Sequence, residues 1–215
     1  MSAARLWHAA ALAVFALGWL PLAHAADLAE PLILVAKPEL GAAPYRSTVL
    51  VVTPLGGDRH AGFIVNRPTD LTLAKLLPEY AAAKKISAPV YLGGPELPGI
   101  VFALVQRASS PGPNAFEVIP GLYAAHDVDV VQRIIETEPH GARFVAGMVT
   151  WREGELRAQI DAGAWYALKP DAALVMSPHE GMWEELVRRA QRPRHRASLA
   201  RSKRIAMPPA PAGSV

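Results

Sequence analysis

Two short segments carry the residue types best suited to gripping a ligand. Asn66-Arg67-Pro68 follows the apolar run Gly62–Val65, and Gly93-Gly94-Pro95-Glu96 follows Val90-Tyr91-Leu92. Arg67 could hold a carboxylate or phosphate bidentately, with Asn66 adding directional hydrogen bonds. The amides of a Gly93-Gly94 turn could form an anion nest, with Glu96 beside it. Both segments also have a structural reading, and that reading is favoured at each. Asn suits a tight turn and Pro68 ends a strand, while paired glycines permit positive φ. Trp151, Glu155 and Trp165 form a third set that could frame a pocket wall. Aromatic residues at strand–helix junctions more often belong to the core.

Other chemistries find little support in the spacing. His60, His126, His140 and His179 have no i, i+4 partner and the chain has no Cys, so no metal site is expected, nor any cofactor. The Gly93-Gly94 turn is not followed by the Lys and Ser or Thr of a phosphate loop. A Gly-x-Ser-x-Gly nucleophile turn is missing. Asp127 and Asp129 sit two apart at a helix start, where capping explains Asp127 without catalysis.

The elements that would hold these residues follow from periodicity. Leu32–Ala36 and Thr48–Thr53 are apolar, β-branched runs and read as strands. A turn at Pro54–His60 joins the second to Gly62–Asn66, which predicts an antiparallel hairpin. Thr72 opens a helix with Leu73, Leu76, Leu77 and Tyr80 at helical spacing, kept short or kinked by Pro78. Pro89–Leu92 and Ile100–Gln106 are strands, and Phe116–Ile119 is expected to pair back with the latter. Val128, Val131, Ile134 and Ile135 form the buried stripe of a helix capped by Asp127. Arg143–Val149 reads as a central strand. A helix runs through Ile160, then short strands at Trp165–Leu168 and Ala173–Met176. Ser177-Pro178-His179-Glu180 looks like a helix start, with Met182, Trp183, Leu186 and Val187 on its apolar side. Strands are clustered instead of alternating regularly with helices. The expected fold is α+β, with a mixed, largely antiparallel sheet, a partly barrel-like closure as a variant, and about four peripheral helices.

Both ends look separable from this body. Arg5 and His8 precede 14 apolar residues, Ala9–Leu22, and then Ala23-His24-Ala25. That is the three-part pattern of a secretory signal peptide over residues 1–25, with cleavage after Ala25. The apolar run is shorter than the roughly 20 residues of a membrane span. A periplasmic or secreted location is therefore expected. Without Cys, the body must rely on its core instead of disulfides. Residues 26–191 make one domain. From Arg188 to Arg204 there are eight Lys and Arg and no acid, followed by a Pro- and Ala-rich end. Residues 192–215 are accordingly expected to be a basic, disordered tail. All 19 Asp and Glu lie between Asp27 and Glu185, a stretch that holds 13 of the 22 Lys and Arg and is thus near −6. The basic pI resides in the tail, so no specific nucleic-acid binding is expected of the body. The tail could make weak contact with an anionic membrane surface, or simply remain solvated.

Several of these segments together resemble the YqgE/AlgH family of small bacterial proteins. They are Leu34–Pro38, Gly62–Pro68 with Leu71–Leu73, Val90–Pro95, Gly147–Trp151, Gly154–Leu156 and Ala164-Trp165. Their order and spacing match across Leu32–Met176. The resemblance implies a compact α+β domain with a mixed sheet and no established enzymatic activity. One member is linked to the regulation of alginate production. The chain departs from the family pattern in informative places. Thr53-Pro54-Leu55 stands where members commonly have an acidic residue and a His, Val105 stands at another His position, and Glu155 replaces a usual Gln. Most members also lack a signal peptide and a basic tail. The chain therefore looks like an exported, divergent relative that has lost any chemistry using those His residues.

Two functions remain in competition, with an attachment role for the tail beside them. The first is a non-enzymatic binding or regulatory module in the periplasm, with a protein or a small anionic molecule as partner. The second is a hydrolase of a small anion, in which Arg67 and the Gly93-Gly94 turn hold the anion and Glu96 or Glu155 acts as base.

Overall fold

The computed structural model describes residues 28–41, 45–177 and 180–192. The expected signal peptide, the basic tail beyond Arg192 and the Pro178-His179 part of the expected helix start lie outside the described residues.

Ten strands form one sheet. They are β1 (Leu32–Ala36), β2 (Val49–Gly56), β3 (Arg59–Ile64), β4 (Pro68–Thr72), β5 (Pro89–Leu92), β6 (Glu96–Gln106), β7 (Ala115–Ile119), β8 (Leu122–Ala125), β9 (Ala142–Trp151) and β10 (Trp165–Leu168). The main path runs β10-β1-β2-β3-β9-β6-β8-β7, with β4 and β5 attached at β9. All pairings are antiparallel except that of β5 with β9. Five α-helices cover it: α1 (Leu73–Leu76), α2 (Val128–Thr137), α3 (Glu155–Asp161), α4 (Ala172–Met176) and α5 (Met182–Gln191). The fold is α+β, as the clustered strands suggested. The sheet curls, bringing the rings of Phe63 on β3 and Phe116 on β7 to 6.3 Å although three strands separate them along the path.

Both faces of the sheet are buried, which is why β1 and β2 read as unbroken apolar runs. Successive side chains point to opposite faces. Ile33, Val35, Val49 and Val51 pack inside the curl, with Phe63, Phe102 and Leu104. Leu32, Leu34, Leu50 and Val52 pack outside, against Leu156 of α3. Val175 of α4 and Met182, Leu186 and Val187 of α5 close the inner core. Farther along the outer face, α2 lays Val130, Val131, Ile134 and Ile135 on Ala103, Val105 and Phe144.

Strand β9 changes phase partway along. Phe144 faces outward and Val145 inward; past Gly147, Met148 faces inward while Val149 and Trp151 face outward. Gly147 has φ +74°, which inserts the extra residue that resets the alternation. Here β9 also changes neighbours, from Tyr91 and Leu92 of β5 to Gly62, Ala61 and His60 of β3. The end of β5 threads through this junction. The carbonyl of Gly93 accepts from Ile64 N at 2.8 Å, and its amide donates to Ala146 O at 2.7 Å. A Cβ on Gly147 would sit 2.4 Å from Gly94 O, and one on Gly94 2.2 Å from Met148 O.

Several expected elements need correction. Ala173–Met176 is helix α4 instead of a strand, raising the helix count above four. Asp171 caps it by accepting from Leu174 N at 3.1 Å. Its run of apolar residues suits a buried helix as well as a strand. Helix α5 starts at Met182 behind Gly181 at φ +68°, while Ser177 ends α4. Pro68 opens strand β4 instead of ending β3, which is allowed because β4 pairs only with β5. Phe116–Ile119 pairs with β8, not with β6; β8 lies between them. Thr72 occupies the N-cap of α1 but makes no side-chain cap bond.

The junction yields a prediction. Gly147→Ala should cost about 3 kcal/mol, combining a left-handed backbone with a clash against fixed backbone. Gly56→Ala, where φ is +81° but nothing lies near the added Cβ, should cost only about 1 kcal/mol. Urea unfolding of the two variants beside the parent measures the difference.

Candidate functional site

The segment 45–48 is the meeting point for most of the residues singled out in the sequence. Asn66 Oδ1 accepts from Val49 N at 2.8 Å, and its Nδ2 donates to Ser47 O at 2.9 Å. This clamp holds Ser47 at φ 55°, a conformation that non-glycine residues seldom adopt. Arg67 Nη2 donates to Arg46 O at 2.7 Å. Burial lowers the Arg67 pKa from its ordinary value, and Arg46 stands exposed beside it. Thr48 Oγ1 donates to Tyr45 O at 2.7 Å. The Tyr45 hydroxyl is pushed up first by burial, then by the charges of Glu155 and Glu96. Both carboxylates therefore lie within electrostatic reach of Tyr45. Each is exposed.

Most of these side chains already have local work. Glu155 Oε2 accepts from Arg152 N at 3.0 Å and so fixes the turn entering α3. Gly93 spends its amide and carbonyl on β9 and β3, as described. Trp151 and Trp165 are 3% and 4% exposed, and each donates Nε1 to Gln159 Oε1, at 3.1 and 3.0 Å. They pack as core, joined by the ring of Tyr45 edge-on to Trp165 at 5.8 Å. Arg46 donates Nε and Nη2 to Gly41 O at 3.1 and 2.9 Å, so the segment offers two cations that each already hold a backbone carbonyl, with the exposed Glu96 and Glu155 within electrostatic reach of Tyr45. That set can bind ions; it does not place a nucleophile against a base. Among the described residues, no three or more His, Asp or Glu cluster closely enough to hold a metal.

Two other features carry no signal in the sequence. One is Arg143, 6% exposed inside the curl. Its guanidinium donates to Val65 O and Ser177 O and lies 4.5 Å from the centre of the Tyr91 ring. Burial lowers its pKa and Tyr91 opposes that shift. The arginine thus ties β9 to the end of β3, to β5 and to the end of α4. The other is an apolar cavity of about 300 Å³ between α2 and β6, lined by Leu77, Ile100, Val101, Val128, Val131 and Ile135. His126 and Gln132 supply its polar edge. Val128 is 64% exposed and Ile100 37%, so the apolar surface continues past the rim.

Helix α2 owes its start to Asp127, whose Oδ1 accepts from Asp129 N and Val130 N at 3.1 and 3.3 Å. The Val130 amide bond leads in depressing its pKa, followed by the bond from Asn114. A depressed folded-state value means stability that is present above the ordinary carboxylate pKa and lost as the pH falls through the lowered one. The melting-temperature gap between the parent and Asp127→Ala should accordingly be open at pH 6 and begin to narrow below about pH 4. A gap that persists into strong acid would contradict the charge-assisted cap. Arg143→Ala should cost about 3 kcal/mol by stranding two buried carbonyls, with Arg143→Lys restoring only part of it. Denaturant midpoints of the two variants check this.

Comparison with known proteins identifies the fold and the family. A family model described as AlgH-like, DUF179, matches residues 33–194. A UPF0301 protein from Chlorobium luteolum is 28% identical over 165 residues, covering 75% of this chain and 85% of its own. One from Thermobifida fusca is 30% identical over 155 residues, covering 67% and 78%. The solution structure of the AlgH protein from Pseudomonas aeruginosa superposes with a TM-score of 0.60 at 22% identity, over 87% of this chain and 96% of that one. The crystal structure of a Corynebacterium diphtheriae protein gives 0.63 at 20%, over 77% and 88%. The two structures share the fold of this chain, and the family match spans most of its length: the chain belongs to the AlgH-like family.

Proposed function

We propose that this AlgH-like chain is a non-enzymatic binding or regulatory module, exported to the periplasm, that receives an apolar segment of a partner protein beside α2. The apolar cavity between α2 and β6 carries the reading. Its lining is mainly aliphatic, with Tyr80 beside it and with His126 and Gln132 able to fix a partner's backbone. Such a surface, apolar and bounded by a few polar groups, is what a binding site offers. Leu97, 51% exposed and at φ 53°, extends the same strand outward. A strained, exposed leucine is costly unless something uses it. The signal-peptide pattern at residues 1–25 supports the location. The basic tail would add weak attraction to an anionic membrane, about 1 kcal/mol per charge near the surface.

A second reading rests on the rim at segment 45–48. Arg67 reaches the Arg46 carbonyl there, and a small anion could meet the part of its guanidinium fork that this bond leaves over. Glu96 and Glu155 near Tyr45 would serve a hydrolase as bases. Both are exposed to solvent and Glu155 already holds the Arg152 amide, which favours binding over catalysis.

The readings separate cleanly. A photocrosslinking side chain at position 132, in cells expressing the full chain, should give one discrete adduct in the periplasmic fraction. Val128→Asp with Ile100→Asp should abolish that adduct while changing stability by no more than about 0.5 kcal/mol. Arg67→Ala should leave it intact. Loss of the adduct in Arg67→Ala alone would shift the site to the rim, and turnover of phosphate or acyl esters by the purified chain would end the non-enzymatic reading.

A further inference from the structure

A second cavity, of about 360 Å³, lies at the β2–β3 turn, bounded by Leu28, Pro54, Gly57, Asp58, His60 and Arg157. His60 is 1% exposed, and its Nε2 is 2.8 Å from Leu28 O. A carbonyl oxygen only accepts, so Nε2 carries the proton and Nδ1 of the neutral ring is an acceptor. Among the described residues, that buried Nδ1 has no hydrogen-bond partner. A buried acceptor without a donor is rare and asks for an explanation. Opposite charges stand on the same cavity. Arg157 Nη2 and Nε donate to Asp58 Oδ1 and Oδ2 at 3.2 and 3.4 Å, and the two side chains are 48% and 30% exposed. The backbone between them is open: Gly56 and Gly57 have positive φ, and a Cβ on either would touch nothing within 4 Å.

This combination fits one ligand class. A cation with N–H donors suits the Asp58 carboxylate and the lone pair of His60. A carboxylate suits the Arg157 guanidinium, whose planar fork favours that partner. Leu28 and Pro54 offer an apolar wall. A simple cation would leave Arg157 facing a like charge, and a simple anion would do the same to Asp58. We propose that this cavity binds a free α-amino acid with a short apolar side chain. Its ammonium group lies between Asp58 and His60 Nδ1, its carboxylate meets Arg157, and its side chain rests on Leu28 and Pro54. The ligand exchanges places with part of the exposed Asp58–Arg157 pair, a small loss because such pairs contribute little.

The full chain, labelled with ¹⁵N, is titrated with L-alanine and L-valine while the amides of Gly56, Gly57 and Asp58 and the His60 ring are followed by NMR. Saturable shifts at both places are expected. N-acetyl-alanine, which lacks the ammonium, and alaninamide, which lacks the carboxylate, should bind at least tenfold more weakly. Asp58→Asn and Arg157→Gln should each weaken L-alanine at least tenfold while melting with the parent. Titrations without saturable shifts, blocked analogues that bind as well as the amino acid, or either variant binding like the parent would overturn the assignment. So would shifts at the turn amides that leave the His60 ring untouched.

Discussion

The structure depends on a place where backbones touch without side chains between them. At Gly93, Gly94 and Gly147, strand β5 passes close against β9 at the point where β9 turns its faces over. Added carbons there would lie 2.2–2.4 Å from carbonyl oxygens, far inside contact distance. Only glycine leaves that volume empty, and at Gly147 only glycine takes the left-handed backbone freely. This close approach lets one strand serve three neighbours. Its first half joins β5 and β6, and its second half joins β3. Without the phase change, Trp151 would point into the curl, opposite Phe144, and would be lost to the outer core that packs on α3.

Local chemistry was readable wherever the signal was local. The hairpin of β2 and β3 showed in two β-branched runs around a Gly-Gly turn. Asp127 announced α2, and the unbroken apolar run of β9 announced a strand buried on both faces. Elements whose state is set by distant neighbours were harder. Ala172–Met176 is apolar enough for either state, and only its place beneath the curl makes it a helix. Strand β8 is too short to show a period. Pro68 reads as a terminator unless β4 is known to run along an edge.

The same distinction governs the candidate site. The sequence groups Asn66, Arg67, Glu96 and Glu155 as candidates; Asn66 and Arg67 hydrogen-bond segment 45–48, while Glu155 and Glu96 reach it only through their charge effect on Tyr45. Their occupations could not be read from it. Asn66 braces residues 17 and 19 positions earlier, and Arg67 reaches one 21 positions earlier. Glu155 serves a turn three residues away. Arg143 was hidden for the opposite reason. A single charge in an apolar strand carries no periodic signature, and its value lies in joining the ends of three elements. A buried guanidinium held by carbonyls and an aromatic face keeps its charge without a carboxylate nearby.

The last helix has a consequence for how the chain reaches this state. Trp183 of α5 donates Nε1 to Ala36 O at 2.7 Å, across 147 positions of sequence. Strand β1 likewise waits for β10 to cover its free edge. The interior of the curl therefore stays wet until almost the whole polypeptide is available. Truncation before Trp183 would leave the inner core open at its first strand, because Ala36 O would lose its donor.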